Sequence, residues 1–578
     1  MPTALAATWY LEDGDITVIA NENGQSVKQG SNSAVADSDT VITQRDSEKA
    51  TDNTITVSTT DDTTANITIE DVNINSYGDA IDVGSSGANI TLEGDNKLNS
   101  EYGSGLHVSD GDVTITGSGS LEAGSKNDSN NNAAIGSHEN EAMSGDITIG
   151  GDAQVTAVSR DDGAGIGSGD MGEMSGDITI GDNAQVTAWS ETGGAGIGSG
   201  RESNMSGNIT IGGSAQVTAG SNSETAGIGS GNNGVFTSTG RVVIRDSAKV
   251  TAIGENEGAG IGTGEDELMA GMIIIQDNAQ VTAIAGDRAA AIGSDNLDEM
   301  TGTIIIIGNA RVTTGILDDG VYFDYNTKEI KYTLDENATG YIGDSKYSNH
   351  ESDEGHYIIG PDVTINGISG SDIEALKDYI NMRLSGENHD GEPENLTKLD
   401  VRSENGEFTV TAEGEGAVEK ILYGGSENVP TAPGTYPVTC VVRIGEETIE
   451  FQIDTYVVPE PAPQPEPMAH HTRIQLYRVA DKQGRSIAYK AVQKGGVLTI
   501  TTDEKEAQLI IEHGGLFALS RQGITKIVFV TASKKSAISV GAAMEKGSGE
   551  FVLLHSYRKV KLTVAGAAVD ADGILIKE

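Results

Sequence analysis

Short runs in which apolar and polar residues alternate recur along this chain with a beat of 31 residues. The first isoleucine of each I-T-I segment, or its counterpart, falls at Ile147, Ile178, Ile209, Val242, Ile273 and Ile304, with spacings of 31, 31, 33, 31 and 31. The phrase A-Q-V-T-A keeps the same beat around Val155, Val186, Val217, Val250, Val281 and Val312, and A-G-I-G-S-G keeps it around Ile135, Ile166, Ile197, Ile228, Ile261 and Ile292. Within each phrase the period is two. Ile147 and Ile149 point one way and Thr148 the other, and Val155 and Ala157 likewise oppose Thr156, which is the pattern of a half-buried strand. Gly, Asn, Asp and Ser separate these strands as turn formers. A fixed period in the thirties marks units that bury their apolar faces only by stacking on one another. Helical repeats share such periods, but Gly and β-branched residues are poor helix formers and no i, i+3, i+4 stripe runs through the repeat. The pattern therefore predicts a mainly β protein built on a parallel β-helix, a solenoid whose coils rise by about 4.8 Å.

The same beat can be followed upstream in shorter form, through Ile67, Ile90 and Val113 at spacings of 23. Gly136, Gly167, Gly198, Gly229, Gly262 and Gly293 follow the ladder isoleucine and mark a corner that demands positive φ or close backbone approach. Met143, Met174, Met205, Met269 and Met300 repeat twelve residues before each ladder valine and are expected to fill core space rather than hold a metal. Ser137, Ser168, Ser199, Ser230, Thr263 and Ser294 face the same side as the ladder isoleucine and predict an internal hydrogen-bonded stack. The pattern divides the chain into an N-terminal cap (1–54), the β-helix (55–315) and an aromatic-rich C-terminal cap (316–365). A helix plus an Ig-like β-sandwich (366–458), a Pro-rich linker (459–467) and a C-terminal β domain (468–578) follow. The helix is expected to open at Ser371 with Glu374 as its capping-box partner and Ile373, Leu376, Ile380 and Leu384 on one face. Outward Thr148, Thr179 and Thr210 give way to Val243, Ile274 and Ile305. An apolar stripe of that kind needs a cover, and the aromatic segment just downstream is the expected one.

Composition narrows the class of partner. Gly makes up 76 of 578 residues, well above the usual level of about 7 %, as a solenoid of tight corners requires. Lys and Arg number 37 against 87 Asp and Glu, for a net charge of -50. That field repels nucleic acid and anionic membranes, and leaves neutral glycans and cations as compatible partners. Residues 468–578 hold 16 basic against 10 acidic side chains, about +6, and so read as an independent module. Cys440, alone in the chain, sits at alternating strand spacing and reads as a small buried hydrophobe. No apolar run is long enough for a spanning helix. Ala4-Leu5-Ala6 resembles a signal-peptidase site, so a trimmed, secreted chain, monomeric by expectation, is the reading of the N-terminus.

Candidate chemistry lies in three places. Asp161, Asp162, Glu191, Glu224, Glu255 and Glu257 fall five to seven residues after the ladder valine and should line one edge of the solenoid. Stacked carboxylates repel, and Ca²⁺ relieves this by gathering six to eight oxygens, so calcium is the candidate cofactor, against a simply solvated acidic surface. A second acidic run includes Asp170, Glu202, Glu265, Asp266 and Glu267. Trp189 replaces Val158, Gly220, Ile253 and Ile284 at one repeat position, either as a platform for a sugar ring or as packing for the next loop. Tyr322, Phe323 and Tyr325 serve capping or ligand contact. His107 and His138 lie near coil edges and read as surface histidines, with no nucleophile beside them. Carboxylate pairs are too common in so acidic a chain to mark a glycosidase.

The stretch I-T-I-E-D-V-N-I-N-S-Y-G-D-A-I-D-V-G, with S-G-L-H-V-S-D-G-D-V-T-I-T-G-S-G-S-L after it, resembles the clostridial carbohydrate-binding-domain proteins, a secreted parallel β-helix family. The G-A-G-I-G-S-G, S-G-D-I-T-I and A-Q-V-T-A phrases are similar to arrays in surface proteins of Firmicutes. The resemblance implies the solenoid fold, calcium in some members, and a polysaccharide or cell-surface glycan as partner. No segment matches the catalytic motif of the related pectate-lyase-type helices. The expectation is a secreted or surface-displayed, non-catalytic polysaccharide-binding solenoid. The alternatives are a stalk or adhesin presenting its C-terminal modules, and a β-helix lyase or hydrolase.

Overall fold

A computed structural model describes residues 7–343 apart from 61–62, 126, 128, 266–267, 295–299 and 337. It further describes 355–376, 380, 396–458 apart from 405–406, 415 and 445–446, and 476–576 apart from 512–514, 545–549, 557–558, 565–566 and 570–574. The chain falls into two compact units, Met1–Glu460 and Pro461–Glu578. The proline-rich linker, Leu384, Tyr347 and the Ala4-Leu5-Ala6 segment lie outside the described residues.

The first unit is the predicted solenoid. Each coil adds one strand to each of three sheets, of 14, 12 and 13 strands, and successive coils pair in parallel. In the first sheet Ile147 pairs with Ile178, Ile178 with Ile209, Ile209 with Val242, Val242 with Ile273 and Ile273 with Ile304. In the second sheet Gln154–Ser159 pairs with Gln185–Ser190 residue for residue, and that strand with Gln216–Ser221. From Ile135 onward the third sheet is made of two-residue Ile-Gly strands, such as Ile166–Gly167 on Ile197–Gly198. The inward Ile, Val and Ala of all three form one continuous core. The methionines bridge coil to coil and are fully buried, and Phe236 takes their place in the one 33-residue coil.

Two local features hold the coils at this spacing. Each ladder glycine of the third sheet has φ between 134° and 143°, and a Cβ at Gly136 or Gly167 would lie 1.7 Å from the carbonyl oxygen of the next coil. The corner therefore admits glycine only. The ladder serines are fully buried but do not bond one another. Ser137 donates to the Glu141 carbonyl (2.8 Å) and accepts from the Gly169 amide (3.2 Å), and Ser199 repeats the arrangement with Ser203 and Gly231. Ser137, Ser168 and Ser199 thus satisfy backbone groups at a corner where the sheet hydrogen bonds run out, whereas the Ser230 and Thr263 hydroxyls are buried without a partner among the described residues.

The boundaries differ from those read in the sequence. Thr8–Tyr10, Ile16–Asn21 and Thr40–Thr43 already pair within the first and third sheets, so the solenoid begins inside the segment expected to be a cap. Capping itself falls to the antiparallel strands Gly24–Gln29 and Val35–Ala36, which close the third sheet. Beyond Gly315, Ile342–Gly343, His356–Ile359 and Thr364–Ile365 add another coil. The aromatic segment is thus a hairpin inserted into a coil, not a terminal cap. A short helix, Ile373–Leu376, follows. Asp372, not Ser371, caps it, accepting the Ala375 amide at 3.2 Å.

The late apolar stripe is covered, but by a different segment than expected. Ile274, Ile305 and Ile358 pack against Leu399, Val438, Val442 and Phe451. Leu396–Glu404 extends the first sheet in parallel from Tyr357–Ile359, and Gly416–Tyr423, Gly434–Ile444 and Glu447–Val458 form a three-stranded antiparallel sheet. In place of a free-standing Ig-like sandwich, residues 396–458 and the outer face of the solenoid share one core. Cys440 is fully buried in it, its thiol pushed up to about 12 by burial.

The second unit has two five-stranded sheets, mostly antiparallel, around its own core, with helices Gly515–Arg521 and Val540–Met544. Among the described residues no helix is long and apolar enough to cross a membrane.

The corner geometry makes a direct prediction. Gly167→Ala should cost on the order of 3 kcal/mol through strain and displacement of the next coil. Denaturant unfolding measures it, and an unchanged midpoint would show that the coils are not stacked this closely.

Candidate functional site

Alternation puts three columns on the outer surface of the second sheet. Gln154, Gln185, Gln216, Lys249 and Gln280 form the first, and Thr156, Thr187, Thr218, Thr251 and Thr282 the second. The third holds Gly124, Val158, Trp189, Gly220, Ile253 and Ile284. Apolar side chains on an outer face need a cover, and they have one. The long strand Arg311–Asp324 leaves the sheet after Ile316, turns back as Glu329–Leu334 and lays Val321, Phe323 and Ile330 over Val158, Trp189, Ile253 and Ile284.

This corrects the reading of Trp189. Its ring is fully buried under the hairpin, and a Cβ at Gly220 would come within 3.1 Å of it, so Gly220 is the space the indole fills in the next coil. Trp189 presents no face to a sugar. Phe323 is buried in the same cluster. Tyr322 is 59 % exposed and Tyr325 37 %. The Tyr325 hydroxyl donates to Glu191, and the Arg160 guanidinium lies 4.4 Å over its ring. The hairpin thus brings Tyr325 and Glu191 together, one residue from each of two predicted groups.

With the third column covered, the first two remain open as a trough of about 630 Å³. It is lined from Ser120 and Glu122 to Gln280 and Thr282, and Lys328 of the hairpin closes one side through an ion pair with Glu122. Among the described residues none hydrogen-bonds the side chains of Gln154, Gln185, Gln216, Gln280 or of the five threonines. The sequence carried the signal in the phrase A-Q-V-T-A, whose Gln and Thr are the outward residues. Attention to its apolar positions alone missed them.

Among the described residues the acidic edge does not gather into a calcium site. Asp161 and Asp162 share the Thr192 hydroxyl, at 3.2 and 3.0 Å, and Asp162 also pairs with Arg201. Glu224 lies 3.5 Å from the Asn232 amide, Glu255 accepts the Ser223 amide at 3.0 Å, and Glu257 pairs with Arg288. Each of these carboxylates is met by a neighbour from its own or an adjacent coil, and Glu191 by Tyr325 of the hairpin. Of the second acidic run, residues 266–267 and 295–299 lie outside the described residues. Asp170 in that run is fully buried beside Arg201 (3.4 Å), with its Oδ2 unpartnered.

Among the described residues one group alone brings three potential metal ligands within 4.8 Å of one another: Asp79, His107 and His138. The two imidazoles stack at 3.7 Å with their planes 4° apart. His107, read from sequence as a surface residue, is 7 % exposed. Burial alone would hold it neutral, but hydrogen bonds to Asp82 (2.9 Å) and Glu141 (2.8 Å) and the field of Asp79 outweigh it and raise the imidazole to about 9. Nearby, Tyr77 and Tyr102 lie on adjacent coils with ring centroids 4.7 Å apart, both exposed. Their place in N-S-Y-G and N-S-E-Y-G was the signal for this pair. No family model, curated protein or solved structure matches the chain. Its chemistry has to be read from these side chains.

Asp170 gives a pH prediction. Burial raises its carboxyl to about 6, with Arg201 opposing and Asp162 and Glu202 adding. A carboxyl higher in the folded than in the unfolded chain destabilises the fold above its folded value, and the penalty fades as pH falls toward the ordinary range near 4. Asp170→Asn should therefore stabilise the protein at pH 7.5, by about 1 kcal/mol after allowing for the lost, solvent-screened Arg201 contact. The gain should vanish near pH 4. Thermal melts of both proteins across this range check it.

Proposed function

We propose that the first unit binds a neutral polysaccharide along the trough of the second sheet. The observation that carries this reading is the pair of columns, glutamine beside threonine, whose amides and hydroxyls have no partner among the described residues. Such groups present donors and acceptors together, which suits a hydroxyl-rich chain better than an ion or an apolar ligand. The lining spans six coils, and five steps of about 4.8 Å make it roughly 24 Å long. An extended polymer of several sugar units fits a site of that length. The repetition of the same two side chains at each step suits a ligand that itself repeats.

Charge supports the same class. A net charge of -50 disfavours nucleic acid and polyanionic glycans and leaves neutral ones. Glycoside hydrolysis uses two carboxyl groups. Among the described residues Glu122 is the one carboxylate in the trough lining, and Lys328 engages it, so the lining supports retention of a glycan over its cleavage. The resemblance of the sequence to secreted carbohydrate-binding solenoids agrees, and favours a protein that works at or outside a cell surface.

The test is affinity electrophoresis of the full chain against cellulose, xylan and galactomannan, with Gln185→Ala/Gln216→Ala beside it. Each lost hydrogen bond is worth about 1 kcal/mol, so the double variant should bind roughly 30-fold more weakly to whichever neutral glycan retards the parent. Retardation unchanged by the substitutions would move the site elsewhere. No retardation by any glycan would leave the solenoid as a rigid spacer, and release of reducing ends would make it an enzyme.

A further inference from the structure

We propose that Asp79, Asp82, His107 and His138 form a binding site for one divalent transition metal of the zinc class, with Glu141 as the residue that positions the His107 imidazole. The site lies on the third sheet, apart from the trough, and does not rest on the glycan reading.

The cluster is a break in an otherwise strict pattern. His107 pairs across the third sheet with Asp82 on one side and Gly136 on the other, in the column that holds only glycine from Gly136 to Gly343. His138 follows Ile-Gly-Ser where the next three coils have Gly169, Gly200 and Gly231. Three successive coils thus each place a ligand-type side chain at one corner, just where the repeat lengthens to 31 residues.

The two sides of the imidazole stack differ in chemistry. His138 Nε2 lies 2.7 Å from Asp79 Oδ1, and His107 Nδ1 lies 3.9 Å from Asp79 Oδ2 and 2.9 Å from Asp82 Oδ1. On the opposite side, Glu141 Oε2 lies 2.8 Å from His107 Nε2 and 3.6 Å from His138 Nδ1. His107 Nδ1 and His138 Nε2 therefore both face Asp79, with Asp82 also beside His107 Nδ1, and on the far side Glu141 bonds His107 Nε2 and lies within ion-pair range of His138 Nδ1. For His107 that is how a metal-ligating histidine is oriented, the far nitrogen bonded to a carboxylate. Asp79 is held in turn by the Ser104 amide at 2.7 Å.

Donors at about 2.0 to 2.2 Å from a tetrahedral zinc lie roughly 3.3 Å apart. The separations on the Asp79 side, 2.7, 2.9 and 3.9 Å, bracket this, so small side-chain rotations that tilt the rings out of parallel complete the geometry. Two imidazoles with two carboxylates suit zinc and its neighbours. Calcium takes six to eight oxygens and magnesium six, largely water. A metal here would tie three coils together at one corner.

The experiment is calorimetric titration of the chelator-treated full chain with ZnCl₂, in excess Mg²⁺ to mask the acidic surface, and the absorption spectrum with Co²⁺ in place of zinc. The expected result is one tight equivalent of zinc and intense tetrahedral Co²⁺ bands. His138→Gln, the more exposed of the two histidines, should weaken binding at least 100-fold, and Glu141→Gln by 10- to 100-fold. Should His138→Gln disturb folding, the Co²⁺ spectrum of the parent decides. Weak octahedral bands, no tight equivalent, or equal binding by a folded His138→Gln protein would overturn the proposal.

Discussion

Everything in the first unit depends on parallel hydrogen bonding between coils held in strict register. A strand edge left open would expose unpaired amides and carbonyls, and each coil closes the edge of the one before it. Because side chains alternate with a period of two, a slip of one residue would turn every buried isoleucine outward. Glycine at the third-sheet corner and buried serine beside it hold the coils at the spacing that register requires. A side chain beyond glycine would meet the carbonyl of the next coil, and without the serines the corner amides and carbonyls would lack partners.

Register has a second consequence: it copies each outward residue into a column. On the first sheet the threonine column changes to Val243, Ile274 and Ile305, and a folded-back sheet covers those. On the second sheet the Val158–Trp189–Ile284 column is covered by the hairpin. The columns left uncovered are polar, glutamine and threonine, and side by side they make the trough. A site of this kind is assembled by repetition, each residue contributing little and the array contributing length. The histidine cluster is the opposite case, a single interruption in which three coils each depart from the repeat at one corner.

Most of the solenoid was legible because its signal is redundant. Ile147, Val155 and Ile135 each announce a strand, and six repeats of each leave one architecture. The covers were not legible. Phe323 and Leu399 are ordinary apolar residues in ordinary strands, and which face each one covers depends on where the chain turns back after leaving a coil. Proximity in sequence therefore assigned the late stripe to the wrong cover. Trp189 was conspicuous as a departure from its column, but the sequence could not say that the glycine one coil later makes room for its ring. The histidines were undervalued for the converse reason. His107 and His138 are 31 residues apart, and only the register of the third sheet stacks them.

The lone cysteine, buried and inert in the shared core, leaves engineered thiols free to report on that register. Disulfide formation in Thr187→Cys/Thr218→Cys, compared with Thr187→Cys/Val217→Cys, is the most direct measurement. Thr187 and Thr218 are register partners on one face, whereas Val217 points into the core. Rapid cross-linking of the first pair and none of the second is the predicted result. Cross-linking of the second pair, or of neither, would contradict the register of the columns on which the trough rests.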